Sequence, residues 1–360
     1  MRLLDRYVLL EFVKLLLLSL FAFIVIFAIV DLFEKIQDFM DGHASAWVVA
    51  RYYAYKVPWV TVQVLPVALL MATFLTLGQM SKFNELTAMV TAGLSTGRIV
   101  VPLFGVGLIA VLASFALNEL VVPDATKRRE EILETEVRHR LASKPTEYSN
   151  LSVLGRDGRI YTAKLYLVPE KRLHDVTITE FKGDVLTRRI DARTGRWDGK
   201  QWVLEDGVER AFDKKGGESA QTFVTKTLTG TPERPEEFEK DPENPDEMAY
   251  GSLREYVRRL KHGGLRAEKY AVQLHQKFAF PFINLIVVVM GAALAARLRN
   301  PNAALGFGIS VSTAFFYVGL MRAGQALGQS GTLPPVFAAW FANALLGLVA
   351  LGLFLQAQRR

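Results

Sequence analysis

Few residues in this sequence have the types and the spacing that catalysis or metal binding would require. The 360 residues include no cysteine, which excludes disulfides, thiolate metal sites and a cysteine nucleophile. We expect neither catalytic residues nor a metal site, and we interpret the histidines as surface or structural residues. They are scattered, without the spacing of a metal-ligand pair: His43, His139, His174, His262 and His275.

One short segment has the glycines and the lysine of a phosphate-binding loop, but not their spacing. Three residues separate Gly195 from Gly199, where that loop has four, and Gln201 follows Lys200 where a serine or threonine would bind Mg²⁺. A β-turn is the simpler interpretation. We therefore expect no cofactor in this chain, and any energy must come from a partner or a gradient. The apolar segments lack the acids and histidines of proton-driven transporters, which favours a partner.

The segment from Ser81 to Met89 has a pattern that suits docking at a membrane surface. As a helix it places Lys82, Glu85 and Met89 on one face, with Leu86 beside them. Such a short amphipathic helix could rest on lipid headgroups. Alternatively, it could bind a cytoplasmic protein, with Glu85 as its charged anchor.

The elements that must position this segment are indicated by hydropathy. Hydrophobic residues make up 51% of the chain, but the charged residues are concentrated in its middle. The net charge of +7 does not indicate nucleic-acid binding, because many basic residues lie at the ends of apolar segments and form no stripe. Six segments reach the length of about 20 residues that a membrane span needs: 8–30, 57–77, 99–117, 278–296, 303–321 and 333–355.

The short loops predict the orientation of these spans. Basic residues at positions 2, 6, 82, 98, 297, 299, 359 and 360 all lie on one side if the N-terminus is cytoplasmic, whereas the loop after the first span is acidic. We therefore expect both termini in the cytoplasm and the middle of the chain outside. The first apolar segment is too long for a typical signal peptide, so we interpret it as an uncleaved anchor.

Residues 123–271 have the composition of a water-soluble domain. A charged helix over 127–140 is followed by short β-rich runs and turns, a spacing that predicts an antiparallel sandwich or jelly roll. An acidic, proline-rich segment over 232–245 predicts an extended linker, and an amphipathic helix over 253–261 leads towards the fourth span. The predicted strands are 160–168, 176–181, 185–192, 201–205, 208–212 and 222–228.

The predicted fold is thus an α-helical membrane protein with six transmembrane helices, arranged 3+3, and an inserted all-β, jelly-roll-like periplasmic domain. The first three helices occupy residues 1–122, with the docking helix near 80–92, and the last three occupy 272–360. This order resembles the LptF/LptG family, the permease subunits of the lipopolysaccharide export ABC transporter. The motifs that carry the resemblance cover nearly the whole chain: Leu4-Asp5-Arg6-Tyr7, Asn84-Glu85-Leu86-Thr87-Ala88-Met89 followed by Ala92-Gly93, His275-Gln276-Lys277-Phe278-Ala279-Phe280-Pro281, and Leu333-Pro334-Pro335.

The resemblance implies a multi-pass protein of the bacterial inner membrane. The chain would pair with its LptF or LptG paralogue above an LptB-type ATPase dimer, which would bind ATP and Mg²⁺. Glu85 matches the glutamate of the family's coupling helix, and Lys82, Leu86 and Met89 would complete the ATPase contact. The pair would extract lipopolysaccharide from membrane lipid and pass it to LptC and LptA jelly rolls. The acidic stretch 31–34 and the Leu-Pro-Pro motif favour LptG over LptF.

A lipid with an anionic headgroup needs basic groups near the outer ends of the spans. The candidates are Lys35, Arg51, Lys56 and Arg322, although each could be an ordinary interfacial side chain. Some family members have a lysine cluster where the first span ends, whereas this chain has mainly acids there. Either Lys35 replaces that cluster, or divalent cations bridge the acids to phosphate.

Two other functions fit parts of the sequence. A sensor or scaffold would report from the β-domain to a cytoplasmic protein without transport, but six spans are more than an anchor needs. A membrane-embedded enzyme acting on lipid would need polar catalytic groups at the membrane face, and the sequence offers no convincing set. Purification distinguishes these functions, because only the exporter should bring down an ATPase and a second permease.

Overall fold

The computed structural model describes residues 3–94, 96–138, 147–155, 159–182, 185–212, 217–228, 233–238, 248–262, 267–297 and 303–358. The chain forms two compact units. Residues 1–139 and 271–360 make up a helical unit, and residues 140–270 make up a unit that contains a β-sheet. The start of the charged helix predicted after the third span therefore lies in the helical unit.

Six of the described helices are long and apolar enough to cross a membrane, namely α1, α2, α4, α8, α9 and α10. Three precede the sheet and three follow it, which confirms the predicted 3+3 arrangement around a β-rich insertion. In chain order, the helices are α1 (Leu3–Asp41), α2 (Ala46–Lys82), α3 (Glu85–Thr91), α4 (Thr96–Leu120), α5 (Val122–Ile132), a π-helical turn (Leu133–Val137), α6 (Pro235–Phe238), α7 (Tyr250–His262), α8 (Glu268–Arg297), α9 (Ala303–Gln329) and α10 (Pro335–Gln358).

Helix α1 is much longer than its apolar segment. It has 39 residues, so at about 1.5 Å per residue it extends for about 58 Å, against about 30 Å for a hydrocarbon core. Its middle is the least buried of the spanning helices, with 11% of the most apolar window buried inside the chain, compared with 67% for α2. Helix α2 is thus the centre of the helical unit, and α1 lies at its periphery.

The inserted domain contains one antiparallel sheet whose six strands follow each other in sequence order. The prediction of an all-β insertion is confirmed, but the strand order is a simple meander without the Greek-key connection of a two-sheet jelly roll. Two predicted runs, 201–205 and 208–212, are a single strand, and the first strand of the sheet was not predicted. The strands are β1 (Glu147–Leu154), β2 (Arg159–Leu167), β3 (Arg172–Lys182), β4 (Val185–Trp197), β5 (Trp202–Phe212) and β6 (Glu218–Thr227).

One row of residues interrupts the pairing across the whole sheet. Asp175 and Asp206 in this row have positive φ angles, 49° and 53°. Buried residues alternate with a period of two along each half of a strand, but across the row they are three positions apart, as are Leu173 and Val176. The extra residue keeps the apolar side chains of both halves on the same face of the sheet. The register skips one residue in each strand: Asn150, Lys164, Asp175, Arg193, Asp206 and Val224.

The apolar face of the sheet is covered by a segment that the sequence assigns to a linker. Helix α6 places Phe238 in the core of the sheet unit, fully buried against the rings of Tyr161, Tyr166 and Trp202. The Trp202 Nε1–H donates to the backbone oxygen of Glu233 at 2.8 Å. Residues 233–238 are therefore part of the domain core, which corrects the prediction of an extended linker for this part of 232–245. Residues 239–247 lie outside the described part of the chain.

We expect Phe238→Ala to destabilise the sheet unit by about 3–5 kcal/mol, because it removes a fully buried ring. The measurement is the denaturant concentration at which the sheet unit of the detergent-solubilised protein becomes sensitive to protease. Val224→Ala is the control, since Val224 is 78% exposed on β6. Equal midpoints for the two variants would contradict a core role for residues 233–238.

Candidate functional site

The segment predicted as one docking helix near 80–92 is in fact the end of one helix and the start of another. Helix α2 ends at Lys82, and its cap residue Phe83 donates its backbone N–H to Gln79. Asn84 then adopts a left-handed conformation with φ of 58°, which asparagine tolerates better than most residues. Helix α3 begins at Glu85, so Lys82 is separated from Glu85 by a break in the helix.

The four predicted docking residues therefore do not share one face. Leu86 and Met89 are partly buried and pack against the apolar core of the helical unit, which fixes α3 to the bundle. Lys82 is exposed, with its Nζ 5.9 Å from the centre of the Phe83 ring, and Phe83 itself is 67% exposed. Glu85 stays partly exposed, and its carboxylate accepts a hydrogen bond from a side chain of another helix.

That partner comes from the start of α1. The Tyr7 hydroxyl donates to both carboxylate oxygens of Glu85, at 3.0 and 3.3 Å. Two residues earlier, Asp5 forms an ion pair with Arg98 in the first turn of α4, with an Nη2–Oδ2 distance of 3.0 Å. The Leu4-Asp5-Arg6-Tyr7 motif was found in the sequence without a role, and these two contacts give it one.

A second polar cluster lies near the other end of α1 and joins α1 to α2. Lys56 and Asp31 form a buried ion pair, and Asp31 also accepts a hydrogen bond from the Tyr53 hydroxyl at 3.1 Å. Lys35 donates to the Tyr52 hydroxyl at 2.5 Å. The structure thus brings Lys35 and Lys56 to the same ring, with their Nζ atoms 5.0 and 5.7 Å from the centre of Tyr52.

Ion pairs also join α1 and α2 to the π-helical turn and to Arg138, the residue that follows it. Arg51 binds Glu136 at 3.1 Å, and Arg138 binds Asp38 at 3.3 Å. Hydrogen bonds from Arg138 to Glu134 and Asp38 raise the pKa of its guanidinium. Gly42 follows α1 at a point where a side chain would collide with the backbone of residue 137, so a glycine is required there.

The four residues predicted to contact the lipid headgroup differ in their exposure and in their partners. Lys56 is only 5% exposed and has Asp31 as its counter-ion, so its role as a headgroup contact stays a prediction that its burial does not favour. Lys35 and Arg51 are partly exposed. Arg322 is exposed and donates to Gln325 at 3.2 Å, and Gln325 in turn donates to Gln276 at 2.8 Å.

The segment that superficially matches a phosphate-binding loop forms the end of β4 and a turn. Gly195 is a paired strand residue. The Asp198 carboxylate accepts the backbone N–H groups of Lys200 and Gln201, both at 2.8 Å, and these bonds lower the pKa of Asp198. The interpretation of this segment as a β-turn is confirmed.

Comparison with known proteins assigns the whole chain to a family. The family model described as "Lipopolysaccharide export system permease LptF/LptG" matches residues 6–356. The chain belongs to the LptF/LptG family. Its curated relatives include the lipopolysaccharide export system permease protein LptG of Escherichia coli strain K12 and that of Escherichia coli O6:H1. Each is 21% identical over 364 residues, with 98% of both chains covered.

Membership of the LptF/LptG family agrees with the six apolar helices and the inserted antiparallel sheet. The family consists of permeases of the lipopolysaccharide export system and not of catalytic enzymes. The match begins at residue 6, so Tyr7, Glu85 and the polar cluster around Asp31 all lie within it.

We expect Lys56→Met to destabilise the helical unit by about 3–5 kcal/mol, because it leaves the buried Asp31 carboxylate without its counter-ion. The measurement is the thermal unfolding midpoint of the protein in detergent. Combining Lys56→Met with Asp31→Asn removes both charges and should restore most of the loss. Arg51→Met is the matched control, since its half-exposed pair with Glu136 should contribute less than about 1 kcal/mol. Equal midpoints for Lys56→Met and Arg51→Met would contradict the buried pair.

Proposed function

We propose that this chain is the LptG-type permease subunit of an ATP-driven exporter that extracts lipopolysaccharide from the bacterial inner membrane. The observation that carries the proposal is the family match over residues 6–356, together with the 3+3 helices around the inserted sheet. Both Escherichia coli relatives named above are LptG proteins, which favours this member of the pair. The positive-inside pattern favours cytoplasmic termini and a periplasmic sheet unit.

The loop from Phe83 to Thr91 is our proposed docking element for an LptB-type ATPase dimer, which would bind ATP and Mg²⁺. Leu86 and Met89 anchor α3 on the helical unit, and the tyrosine hydroxyl of α1 holds the Glu85 carboxylate in place. Movement of a protein bound to this loop would therefore be transmitted to the bundle. Lys82 and Phe83 offer a charge and an exposed ring beside Glu85.

The second permease would cover helices that this chain leaves bare. Only 11% of the most apolar window of α1 and 17% of that of α9 are buried inside the chain. Lipid tails are as apolar as the side chains of these helices, so replacing lipid contacts with contacts to another helix costs little free energy. These exposed faces could therefore bind an LptF paralogue and line the lipid cavity between the two subunits. On the periplasmic side, the sheet unit would hand the lipid to LptC-type and LptA-type jelly rolls.

The lipid headgroup would bind at Lys35, Arg51 and Arg322, the basic residues that keep exposed surface. Lys35 donates to a neutral hydroxyl, whereas Lys56 pairs with a carboxylate, so the charge of Lys35 is compensated less completely. A lipid phosphate would therefore add a stabilising partner to Lys35, with Tyr52 orienting the ammonium group.

We expect Glu85→Arg to abolish or strongly reduce co-purification of the ATPase, because it reverses the charge of the proposed anchor. The measurement is the amount of ATPase that co-purifies with the affinity-tagged permease. Glu34→Arg is the matched control, since Glu34 is an exposed acid of the same helix that carries Tyr7 but lies towards its far end. Unchanged ATPase binding by Glu85→Arg would remove the docking role of this loop.

We expect Lys35→Ala and Arg322→Ala each to lower the apparent affinity for lipopolysaccharide by about three- to tenfold, because each removes a contact that contributes about 1 kcal/mol to lipid binding. The measurement is the lipopolysaccharide concentration that gives half-maximal stimulation of ATP hydrolysis. Lys14→Ala is the control, because Lys14 is an exposed lysine of α1 paired only weakly with Glu11 at 3.5 Å. Stimulation equal to that of the unmodified complex in both variants would exclude these residues as headgroup contacts.

The identity of the chains that co-purify with the protein tests the proposal as a whole. An ATPase and a second LptF/LptG permease are expected. A homo-oligomer without an ATPase would instead favour a membrane-anchored scaffold.

A further inference from the structure

The first two turns of α1 contact both sides of the loop between α2 and α4. Tyr7 binds Glu85 at the start of α3, and Asp5 binds Arg98 just after the loop, at the start of α4. The Asp5 side chain is 14% exposed and that of Arg98 is 40% exposed, so this ion pair is partly shielded from water on the Asp5 side.

These two contacts leave α1 in different directions. Positions that are two residues apart on a helix differ by about 200° around its axis. The start of α1 therefore contacts α3 through Tyr7 and the first turn of α4 through Asp5, on nearly opposite sides. A shift of α1 towards α3 would lengthen its contact with α4, and a shift towards α4 would lengthen its contact with α3. Val8 and Phe12, on the turns that follow, are completely buried in the core of the helical unit. This end of α1 thus moves together with the loop.

Helix α1 is also the spanning helix best suited to carry a displacement over a distance. Residues 3–41 contain neither proline nor glycine, whereas each of the other five spanning helices contains at least one of them. Proline and glycine are the usual points at which helices kink. In α2, for instance, Pro58 and Pro66 interrupt the backbone ladder between its two ends.

The far end of α1 carries the polar cluster described above. Asp31 is paired with Lys56, and Lys35 reaches Tyr52, so a shift of α1 along or about its axis changes the position of Lys35 relative to α2. Between its two ends, α1 contacts α9 through Phe23 and Phe307 and α2 through Phe27 and Trp59, but only 11% of its most apolar window is buried inside the chain.

We propose that Asp5 and Tyr7 are positioning residues that couple the ATPase-docking loop to α1, and that α1 carries the motion of this loop to the Lys35 end of the helix. This proposal rests on the proposed function, since it needs an ATPase on the loop. It assigns Tyr7 and Asp5 a role in the transmission of movement, distinct from the binding role of Glu85.

The test uses the complete complex, reconstituted in vesicles that contain lipopolysaccharide, and measures the lipid released per ATP hydrolysed. Tyr7→Phe keeps the ring and removes both hydrogen bonds to Glu85. Asp5→Arg breaks the ion pair with Arg98, and the double variant Asp5→Arg/Arg98→Asp restores it with the charges exchanged. We expect the ratio to fall at least about fivefold in Tyr7→Phe and Asp5→Arg, the lower end of typical coupling between two sites, and to recover substantially in the double variant.

Glu11→Gln is the matched control, because it disrupts a polar pair of the same helix that lies outside the loop contact. A ratio equal to that of the unmodified complex in Tyr7→Phe and Asp5→Arg would overturn the proposal. Loss of ATPase binding in Tyr7→Phe would also overturn it, since that result assigns Tyr7 to docking alone. The proposed function fails separately, if the unmodified chain releases no lipid with its ATPase.

Discussion

A charged side chain on a membrane-spanning helix has to find a counter-ion, because the unpaired charge costs several kcal/mol when water is removed from it. In this chain the ion pair between Asp31 and Lys56 meets that requirement and also sets how α1 lies against α2. The Tyr53 hydroxyl adds a third group to the carboxylate. This pair accounts for one of the acids that follow the first span, which were difficult to reconcile with a site for an anionic lipid. Asp31 pairs with Lys56 and Asp38 pairs with Arg138, so two of these acids have cationic partners within the chain.

The hydropathy of the sequence was sufficient to predict the six spans, because a bilayer imposes a length and a composition that local sequence must satisfy by itself. The strands were harder. The predicted run 185–192 stops at Arg193, and the run 201–205 stops at Asp206, which are residues of the row where the pairing skips a position. There the alternation of buried and exposed residues changes phase, so a two-residue period ends although the strand continues. The missed strand β1 lies at an edge of the sheet.

The candidate site shows the same limit at the level of single residues. Glu85 and Lys35 could be selected from the sequence, because charge near the end of a span is visible locally. Their partners could not be predicted, since Tyr7 is 78 residues from Glu85 and Asp5 is 93 residues from Arg98. Phe238 was assigned to a linker for a similar reason: its neighbours are acidic and proline-rich, and only the folded sheet offers it the rings of Tyr161, Tyr166 and Trp202.

The polar contacts of the helical unit fall into two groups with different mechanical consequences. Near the middle of the bundle, side-chain amides bind backbone carbonyls of neighbouring helices, as Asn343 does with Ala279 of α8, and these bonds hold helices together within the apolar layer. Helix α1 instead forms ion pairs with other elements towards its two ends, through Asp5 at one end and through Asp31 and Asp38 near the other. Its apolar middle packs on α9 through Phe23 and Phe307 and on α2 through Phe27 and Trp59, and much of the remaining surface is exposed. A helix whose ion pairs to other elements lie towards its ends is held in its axial position mainly there, and this property suits α1 to the proposed link between the docking loop and Lys35.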